Sequence, residues 1–444
     1  MIRKKPYTEI TSPYLRRLLM WREEIKRAQS GGHHLRLVAG EVRSDMLRIL
    51  ACEIDRNADR LLQANALDYR EHGDSLEPAM RQRLLLGADK LQTITAGLRA
   101  LAEKEDPLGR CLERSQLDDG LILSKVTVPL GVVGVIFESR PDVFYQVLGL
   151  ALRTGNGIIL KGGVEATRTN REMAAIAGEA FASQGLPTDW FALLEGREAV
   201  MELLKCDDLV DLVIPRGSNE FVRFIQEHSR IPVLGHAAGV CHLYVHNSAD
   251  LAAAERVIID AKTQYPAACN SVETVLIDAS LPSSFVASLG LLLTNAGVTI
   301  RACERAKAPL PEAEPVGKDE WSTEYGALTI AIKIVDGINE AIVHINTHGS
   351  HHTDAILAHE NKALELFLNS VDSACVFANC STRFADGYRF GFGAEIGIGT
   401  GKIHARGPVG LEGLLTYKYV LQGNGHCVSS YCGAGAKAFQ FRPL

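Results

Sequence analysis

Along residues 41–105 apolar positions recur at helical spacing, with acidic and basic residues interleaved and no strand-like alternation, so the stretch reads as helices. The pattern changes at the turn pair Asp119-Gly120. Leu121-Ile122-Leu123-Ser124-Lys125-Val126-Thr127-Val128-Pro129 follows, a β-rich run closed by proline. Short apolar runs at 132–137, 157–161, 190–194, 209–214 and 243–245 then read as buried strands, separated by helical stretches such as 166–184 and 218–228. Alternation of this kind predicts an α/β fold, a parallel sheet with helices on both faces. A second alternating block spans 263–380, with strands expected at 273–277, 298–301, 329–334 and 374–377. Residues 304–322, with Pro309, Pro311, Pro315 and Gly317, read as surface loop. A glycine-dense stretch, 387–413, precedes a last apolar strand at 414–421. No internal repeat or low-complexity tract interrupts this order.

The chain has 444 residues, too many for one compact core and enough for two or three domains. A formal net charge of -6 gives no electrostatic case for nucleic acid, which needs a concentrated positive surface. No run of about 18 apolar residues is present, so no membrane span is expected. Arg3, Lys4, Lys5, Arg16, Arg17, Arg22, Lys26 and Arg27 give a basic start, as in an organelle presequence. Glu9, Glu23 and Glu24 interrupt it, and Leu15, Leu18, Leu19 and Ile25 sit at rough helical spacing, so an amphipathic helix is the plainer reading. The ten cysteines, at 52, 111, 206, 241, 269, 303, 375, 380, 427 and 432, form no CxxC pair. They read as reduced thiols of a cytoplasmic protein, most of them small buried hydrophobes.

Cys269 calls for another explanation. It lies in Tyr265-Pro266-Ala267-Ala268-Cys269-Asn270-Ser271-Val272-Glu273-Thr274, where proline stiffens the loop and two alanines leave the thiol uncrowded before a strand. A nucleophile on a rigid edge and one more buried small residue are both consistent with this local pattern. The apolar strand at 132–137 points at Glu138-Ser139-Arg140-Pro141, and Arg140 there offers a planar fork for phosphate or carboxylate. The strand ending in Lys161-Gly162-Gly163 sets a point charge beside an open backbone, suited to a nucleotide phosphate. Arg216-Gly217-Ser218-Asn219 opens a helix whose amides suit a pyrophosphate, although no GxGxxG fingerprint is present.

Taken in order, these motifs resemble the aldehyde dehydrogenase superfamily and, more narrowly, the gamma-glutamyl phosphate reductases. The resemblance runs from about residue 40 to 425. It rests most on Phe137-Glu138-Ser139-Arg140-Pro141-Asp142, Ile214-Pro215-Arg216-Gly217-Ser218, Pro266-Ala267-Ala268-Cys269-Asn270 and Ile403-His404-Ala405-Arg406-Gly407-Pro408-Val409-Gly410-Leu411-Glu412-Gly413. Ile231-Pro232-Val233-Leu234-Gly235-His236 is similar to the reductase half of animal and plant pyrroline-5-carboxylate synthase. That protein also carries a kinase domain, for which this chain leaves no room. A stand-alone reductase, with a separate glutamate 5-kinase as a partner, is therefore expected.

The resemblance implies an aldehyde-dehydrogenase-like fold of two parallel-sheet α/β domains and a small β oligomerisation arm. A nicotinamide-cofactor domain is expected from 1–112 and 130–262, with 381–412 returning to it. The catalytic domain would be 263–380, and the arm 113–129 with 413–424, making a homodimer or higher homo-oligomer. Cys269 falls on the family's catalytic cysteine. Lys161, Gly217 and Ser218 fall on cofactor positions, and Glu324 falls where the superfamily binds the nicotinamide ribose. Arg140 replaces the asparagine of the oxyanion site in oxidising members, and His236 stands where those enzymes keep a glutamate base. Ser139, Asn270, Arg383 and Arg406 are expected to contact substrate, with Asp386 and Glu395 as further candidates for its amino-acid head. Each of the charged residues in this group also reads as a surface or interface charge, and Asp386 as a helix cap.

The activity so implied is NADPH-dependent reduction of L-glutamyl 5-phosphate to L-glutamate 5-semialdehyde through a cysteine thioester, in proline biosynthesis. No metal, nucleic acid or membrane enters this expectation. An oxidising enzyme of the same fold needs a base to activate water, and here that glutamate is missing. A non-catalytic descendant is the remaining alternative, against which Cys269, Lys161 and Glu324 stand together.

Overall fold

The computed structural model describes residues 13–236, 238–318 and 320–444; Arg3, Lys4, Lys5 and Glu9 of the basic start lie outside them. By internal contact the chain divides into two compact units. One comprises Met1–Gly217, Phe224–Val233 and Gly410–Leu444; the other comprises Ser218–Arg223 and Leu234–Val409.

In the first unit the amphipathic start is the helix Pro13–Leu35, which buries Trp21, Ile25, Ala28 and Leu35 along one face. Helices Gly40–Arg56, Ala58–His72 and Ala88–Ala102 follow, as the spacing predicts. Strands β1 (Cys111–Asp118) and β2 (Leu121–Pro129) form a hairpin through Asp119-Gly120, with Gly120 at φ 75°. This is a backbone angle that glycine adopts without a Cβ penalty. Then come β3 (Val132–Phe137), β4 (Gly157–Gly162), β5 (Phe191–Leu193) and β6 (Leu212–Arg216), a parallel sheet in the order β5-β4-β3-β6. Every residue of β3 and β4 is buried, which is why they read as unbroken apolar runs.

The second unit is built on β7 (Cys241–Val245), β8 (Val272–Asp278), β9 (Thr299–Ala302), β10 (Glu314–Pro315), β11 (Thr329–Val335), β12 (Thr353–Leu357) and β13 (Cys375–Ala378). They form a seven-stranded parallel sheet in the order β10-β9-β11-β8-β7-β12-β13. Leu243, Val245, Val275 and Ile277 pack into one core with Phe285 and Leu289, while Tyr244 and Leu276 turn to another with Ile345 and Phe367. The two-residue period of the strands thus loads both faces of the sheet. Strands β14 (Gly397–Gly399) and β15 (Gly407–Val409) make a small antiparallel pair. Back in the first unit, β16 (Leu415–Gln422) and β17 (Arg442–Pro443) complete an antiparallel sheet, β16-β2-β1-β17. Among the described residues no helix is long and apolar enough to cross a membrane.

Three expectations need correction. Strand β7 was expected in the first domain, yet it hydrogen-bonds between β8 and β12, so the division falls near Leu234 and not at residue 262. Residues 381–409 stay with the second unit, and the return to the first begins at Gly410. Strand β12 escaped the sequence reading because the fully buried Asp354 breaks its apolar run. That carboxylate is satisfied by His242 N at 2.7 Å, His242 Nδ1 at 3.1 Å and Ser373 Oγ at 2.5 Å, so a charged residue sits in a strand interior.

A second buried charge pair ties the helix Leu251–Thr263 to β8: Lys262 Nζ donates to Glu273 Oε2 at 2.7 Å, both side chains fully buried. Burial pushes the Glu273 carboxyl up to about 7 and pulls Lys262 below its ordinary value, each only partly offset by the partner's charge. Removing one partner of such a pair typically costs about 3–5 kcal/mol, whereas replacing both by apolar groups costs far less. Lys262→Met should therefore lower the unfolding midpoint clearly, and Lys262→Met with Glu273→Leu should recover much of the loss. Thermal unfolding of the three proteins checks this; a double variant no more stable than the single would rule it out.

Candidate active site

The thiol of Cys269 is placed by the link between a helix and a strand. Asp250 caps the helix Leu251–Thr263 by accepting from Ala253 N at 3.0 Å, and a turn follows in which Ala268 N donates to Tyr265 O and Ser271 N to Ala268 O. Cys269 sits on this turn, just before the amino end of β8, and is half-buried. Gly239 lies directly against it: a Cβ there would come within 2.1 Å of Cys269 O and 2.6 Å of its Cα. Gly239 N donates to Glu324 Oε2 at 2.9 Å, and Asn219 Nδ2 donates to the same oxygen at 2.7 Å. The Cys241 thiol donates to Cys269 O at 3.3 Å. The backbone of the nucleophile is thus held from two sides.

Two imidazoles flank the thiol. One side-chain donor atom each from His236, Cys269 and His352 lies within 4.8 Å of the other two. The rings of His236 and His352 meet edge to face at 4.8 Å between centroids. His236 Nδ1 lies 3.0 Å from Ile398 O, which can only accept, so that nitrogen carries a proton. His352 is fully buried; its Nδ1 is 2.8 Å from Thr353 Oγ1, and its Nε2 has no hydrogen-bond partner among the described residues. Burial raises the thiols of Cys206, Cys241 and Cys380, and pushes Cys375 up to about 11, so thiolate is disfavoured at all four.

The other expected substrate residues of this unit separate into two groups. Asn270 and Arg383 stand beside the thiol. Asn270 is buried, donates from Nδ2 to Ala385 O at 2.8 Å, and leaves Oδ1 without a partner among the described residues. Arg383 Nε donates to Gln264 Oε1 at 2.9 Å, and its guanidinium lies 5.9 Å from the Tyr265 ring centroid. Burial and then Arg389 lower its pKa, while Cys269 and Asp386 are near enough to oppose them. Arg406 is engaged elsewhere, donating to Asp372 O and Oδ1 at 3.1 Å beside Lys402. Asp386 accepts from Tyr388 N and Arg389 N within a turn, with no helix there to cap, and Glu395 accepts from Gly387 N.

In the first unit the carboxyl ends of three parallel strands align, with Phe137 opposite both Gly162 and Arg216. Ser139, Arg140, Lys161, Gly162, Gly163 and Gly217 therefore gather at one edge of this sheet, where open α/β sheets take ligands. Ser139 is buried in a left-handed conformation, φ 43°, and its N and Oγ donate to Glu165 Oε1 at 2.5 and 2.7 Å. These bonds hold the turn that presents Arg140, whose Nε is buried without a partner among the described residues. Lys161 is buried, with its pKa lowered by desolvation and supported by Glu165 and Glu195, and Nζ donates to Gly162 O at 2.5 Å. Gly162, Gly163, Asn170, Leu193 and Gly196 line a hollow beside it, and Asn170 Oδ1 there is buried and without a partner among the described residues. Ser218, in the second unit, accepts at Oγ from Phe221 N at 3.3 Å, capping a helix.

Sequence reasoning missed His352 and Gly239. His351-His352-Thr353-Asp354 reads as a polar stretch, and only the burial of β12 makes it interior. Gly239 carries no local mark, because its need for a missing Cβ comes from Cys269, thirty residues on.

A family model described as the aldehyde dehydrogenase family matches residues 20–298, which defines the class. The gamma-glutamyl phosphate reductase of Pelotomaculum thermopropionicum is 49% identical over 405 residues, covering 91% of this chain and 93% of its own. That of Haloquadratum walsbyi is 46% identical over 429 residues, with 94% of each chain covered. The crystal structure of the Thermotoga maritima gamma-glutamyl phosphate reductase matches at a TM-score of 0.89 and 35% identity, covering 92% of this chain and 99% of that one. The chain belongs to the gamma-glutamyl phosphate reductases of the aldehyde dehydrogenase family.

The contact at Gly239 gives a test of placement. Gly239→Ala puts a methyl group into rigid Cys269 backbone, which must shift. Misplacing a reacting group by about 1 Å typically costs about 100-fold in rate. The variant should lose activity by that order and also unfold at a lower temperature, since overpacking typically costs about 1–3 kcal/mol; wild-type turnover would show that Gly239 does not set the thiol's position.

Proposed function

We propose that the chain reduces L-glutamyl 5-phosphate to L-glutamate 5-semialdehyde and releases phosphate, through a thioester on Cys269. The observation that carries this reading is the held turn bearing Cys269 between two imidazoles, in a chain that shares nearly half its residues with curated gamma-glutamyl phosphate reductases. The reaction begins with the Cys269 thiol passing its proton to a neighbouring imidazole lone pair. The thiolate attacks the acyl carbon, the C–O bond to phosphate breaks, and phosphate leaves. A reduced nicotinamide dinucleotide, when bound, would supply the hydride that the thioester carbonyl takes up. The resulting oxyanion collapses, breaking the C–S bond to give the aldehyde and returning Cys269 as thiolate to take back its proton. The Cys269 amide and Arg140 are assigned to the oxyanion and the departing phosphate; the buried Arg140 Nε, without a partner among the described residues, supports an anion contact there.

Lys161, Gly217 and Ser218 are assigned to the cofactor, with NADP as the finer choice. The hollow beside Gly162 and Gly163, with Asn170 Oδ1 buried there and without a partner among the described residues, supports this assignment. Both bonds to Glu324 use Oε2, which leaves Oε1 to receive a ribose hydroxyl. Asn270 Oδ1 and the Arg383 guanidinium are assigned to the ammonium and carboxylate of the substrate's amino-acid head. Ser139 and Arg406 are placed second to these, since their polar atoms are engaged within the fold. The outer strand β16, with Tyr417, Tyr419 and Leu421 exposed, is assigned to homo-oligomer assembly.

Purified protein given semialdehyde, phosphate and NADP should reduce NADP only when phosphate is present. Phosphate-independent reduction would make the protein an oxidising dehydrogenase, and absence of turnover would reject an enzymatic role. Cys269→Ala should abolish the reaction, and Cys269→Ser should come close to doing so, because a hydroxyl is a far weaker nucleophile at neutral pH.

Arg140→Asn should raise the phosphate Michaelis constant tens-fold or more, the equivalent of about 2–5 kcal/mol for truncating a desolvated charge pair. The semialdehyde constant should shift only modestly. Equal shifts in both constants would assign Arg140 to general structure.

A further inference from the structure

We infer that Cys269, His236 and His352 form a binding site for Zn²⁺, at which the metal reversibly blocks the thiol. Among the described residues this is the one group of three or more histidine, cysteine, aspartate or glutamate side chains close enough to share an ion. One thiolate and two imidazoles are the donor set of a thiophilic first-row cation, and three such protein ligands with an open fourth position are the pattern of exchangeable zinc sites.

Two further observations favour a metal. The first is the orientation of His236, whose Nδ1–H donates to Ile398 O. A metal-bound imidazole usually makes that second hydrogen bond, which fixes the tautomer and directs the Nε2 lone pair outward. The second is His352, fully buried with Nε2 unpartnered among the described residues while Nδ1 is occupied by Thr353 Oγ1. An unsatisfied buried ring nitrogen is costly, and a cation bound there removes that cost. Donor atoms within 4.8 Å of one another need only small side-chain rotations to reach Zn–N distances of about 2.0–2.1 Å and Zn–S of about 2.3 Å. On binding, the Cys269 S–H bond breaks, its proton goes to solvent, and sulfur donates its pair to the metal, with no change of oxidation state. A cysteine so held can neither attack an acyl phosphate nor be alkylated. The inhibition rests on the reductase reading; the binding does not.

The test uses the full chain, reduced and freed of metal by a chelator. Co²⁺ added without oxygen should bind at one equivalent with a thiolate-to-cobalt charge-transfer band, and Zn²⁺ should displace it. The band should vanish in Cys269→Ala and in wild-type protein alkylated by iodoacetamide, and should persist in Cys241→Ala. Altering residues that merely support a metal ligand weakens binding about 10- to 100-fold, so His236→Gln and His352→Gln should each weaken it at least about tenfold. Zn²⁺ should also slow alkylation of Cys269, and EDTA should restore it. A missing band, a band that survives in Cys269→Ala, or full affinity in both histidine variants would overturn the assignment. An inactive protein that still binds Co²⁺ at Cys269 would reject the reductase reading and leave this one standing.

Discussion

The Lys262–Glu273 pair closes the base of the turn that carries Cys269. Its partners are eleven residues apart, one in the last turn of a helix and one in β8, and neither has contact with water. Two buried charges satisfy each other well only when the helix end and the strand start keep one separation. The cysteine between them inherits that fixed frame. Gly239 and the Cys241 thiol then fix the cysteine's own backbone, and Glu324 holds Gly239 in turn. The position of the thiol is set by these paired groups beneath it.

The two units present their chemistry by different means. In the first, charged residues follow the carboxyl ends of parallel strands, the place where helices begin and amide groups face outward. In the second, the nucleophile precedes a strand and so sits at the amino end of β8. Helix and sheet geometry do not favour an anion there, and the environment of the thiol comes instead from side chains: His236, His352, Arg383 and Asn270.

This difference explains what could be read in the sequence. Arg140, Lys161 and Gly217 announce themselves as polar or glycine residues at the ends of apolar runs, and the strands that carry them fall within a few residues of expectation. Cys269 is legible from the proline and alanines before it and from the family motif. The residues around it are not, because they come from β7, β12 and loops distant in the chain. His352 and Asp354 sit in a strand that breaks the apolar rule, and the hydrogen bonds that permit the violation are long-range. The same blindness misplaced β7, whose apolar run is the same whichever sheet it enters. Arg406 is the converse case: its motif is specific, and its side chain donates to Asp372, a contact that the motif does not announce.

The side chains around Cys269 also bear on how a thioester there would meet water. An oxidising enzyme must hydrolyse its thioester and needs a base that activates water, whereas a reductase that starts from an acyl phosphate gains nothing from such a base once sulfur has attacked. In the proposed reaction a base is needed once, to take the thiol's proton, and the same proton returns to sulfur when the C–S bond breaks. The groups that sit around the thiol for that purpose are the ones a zinc ion would draw together, so the cluster that serves the nucleophile also exposes it to metal.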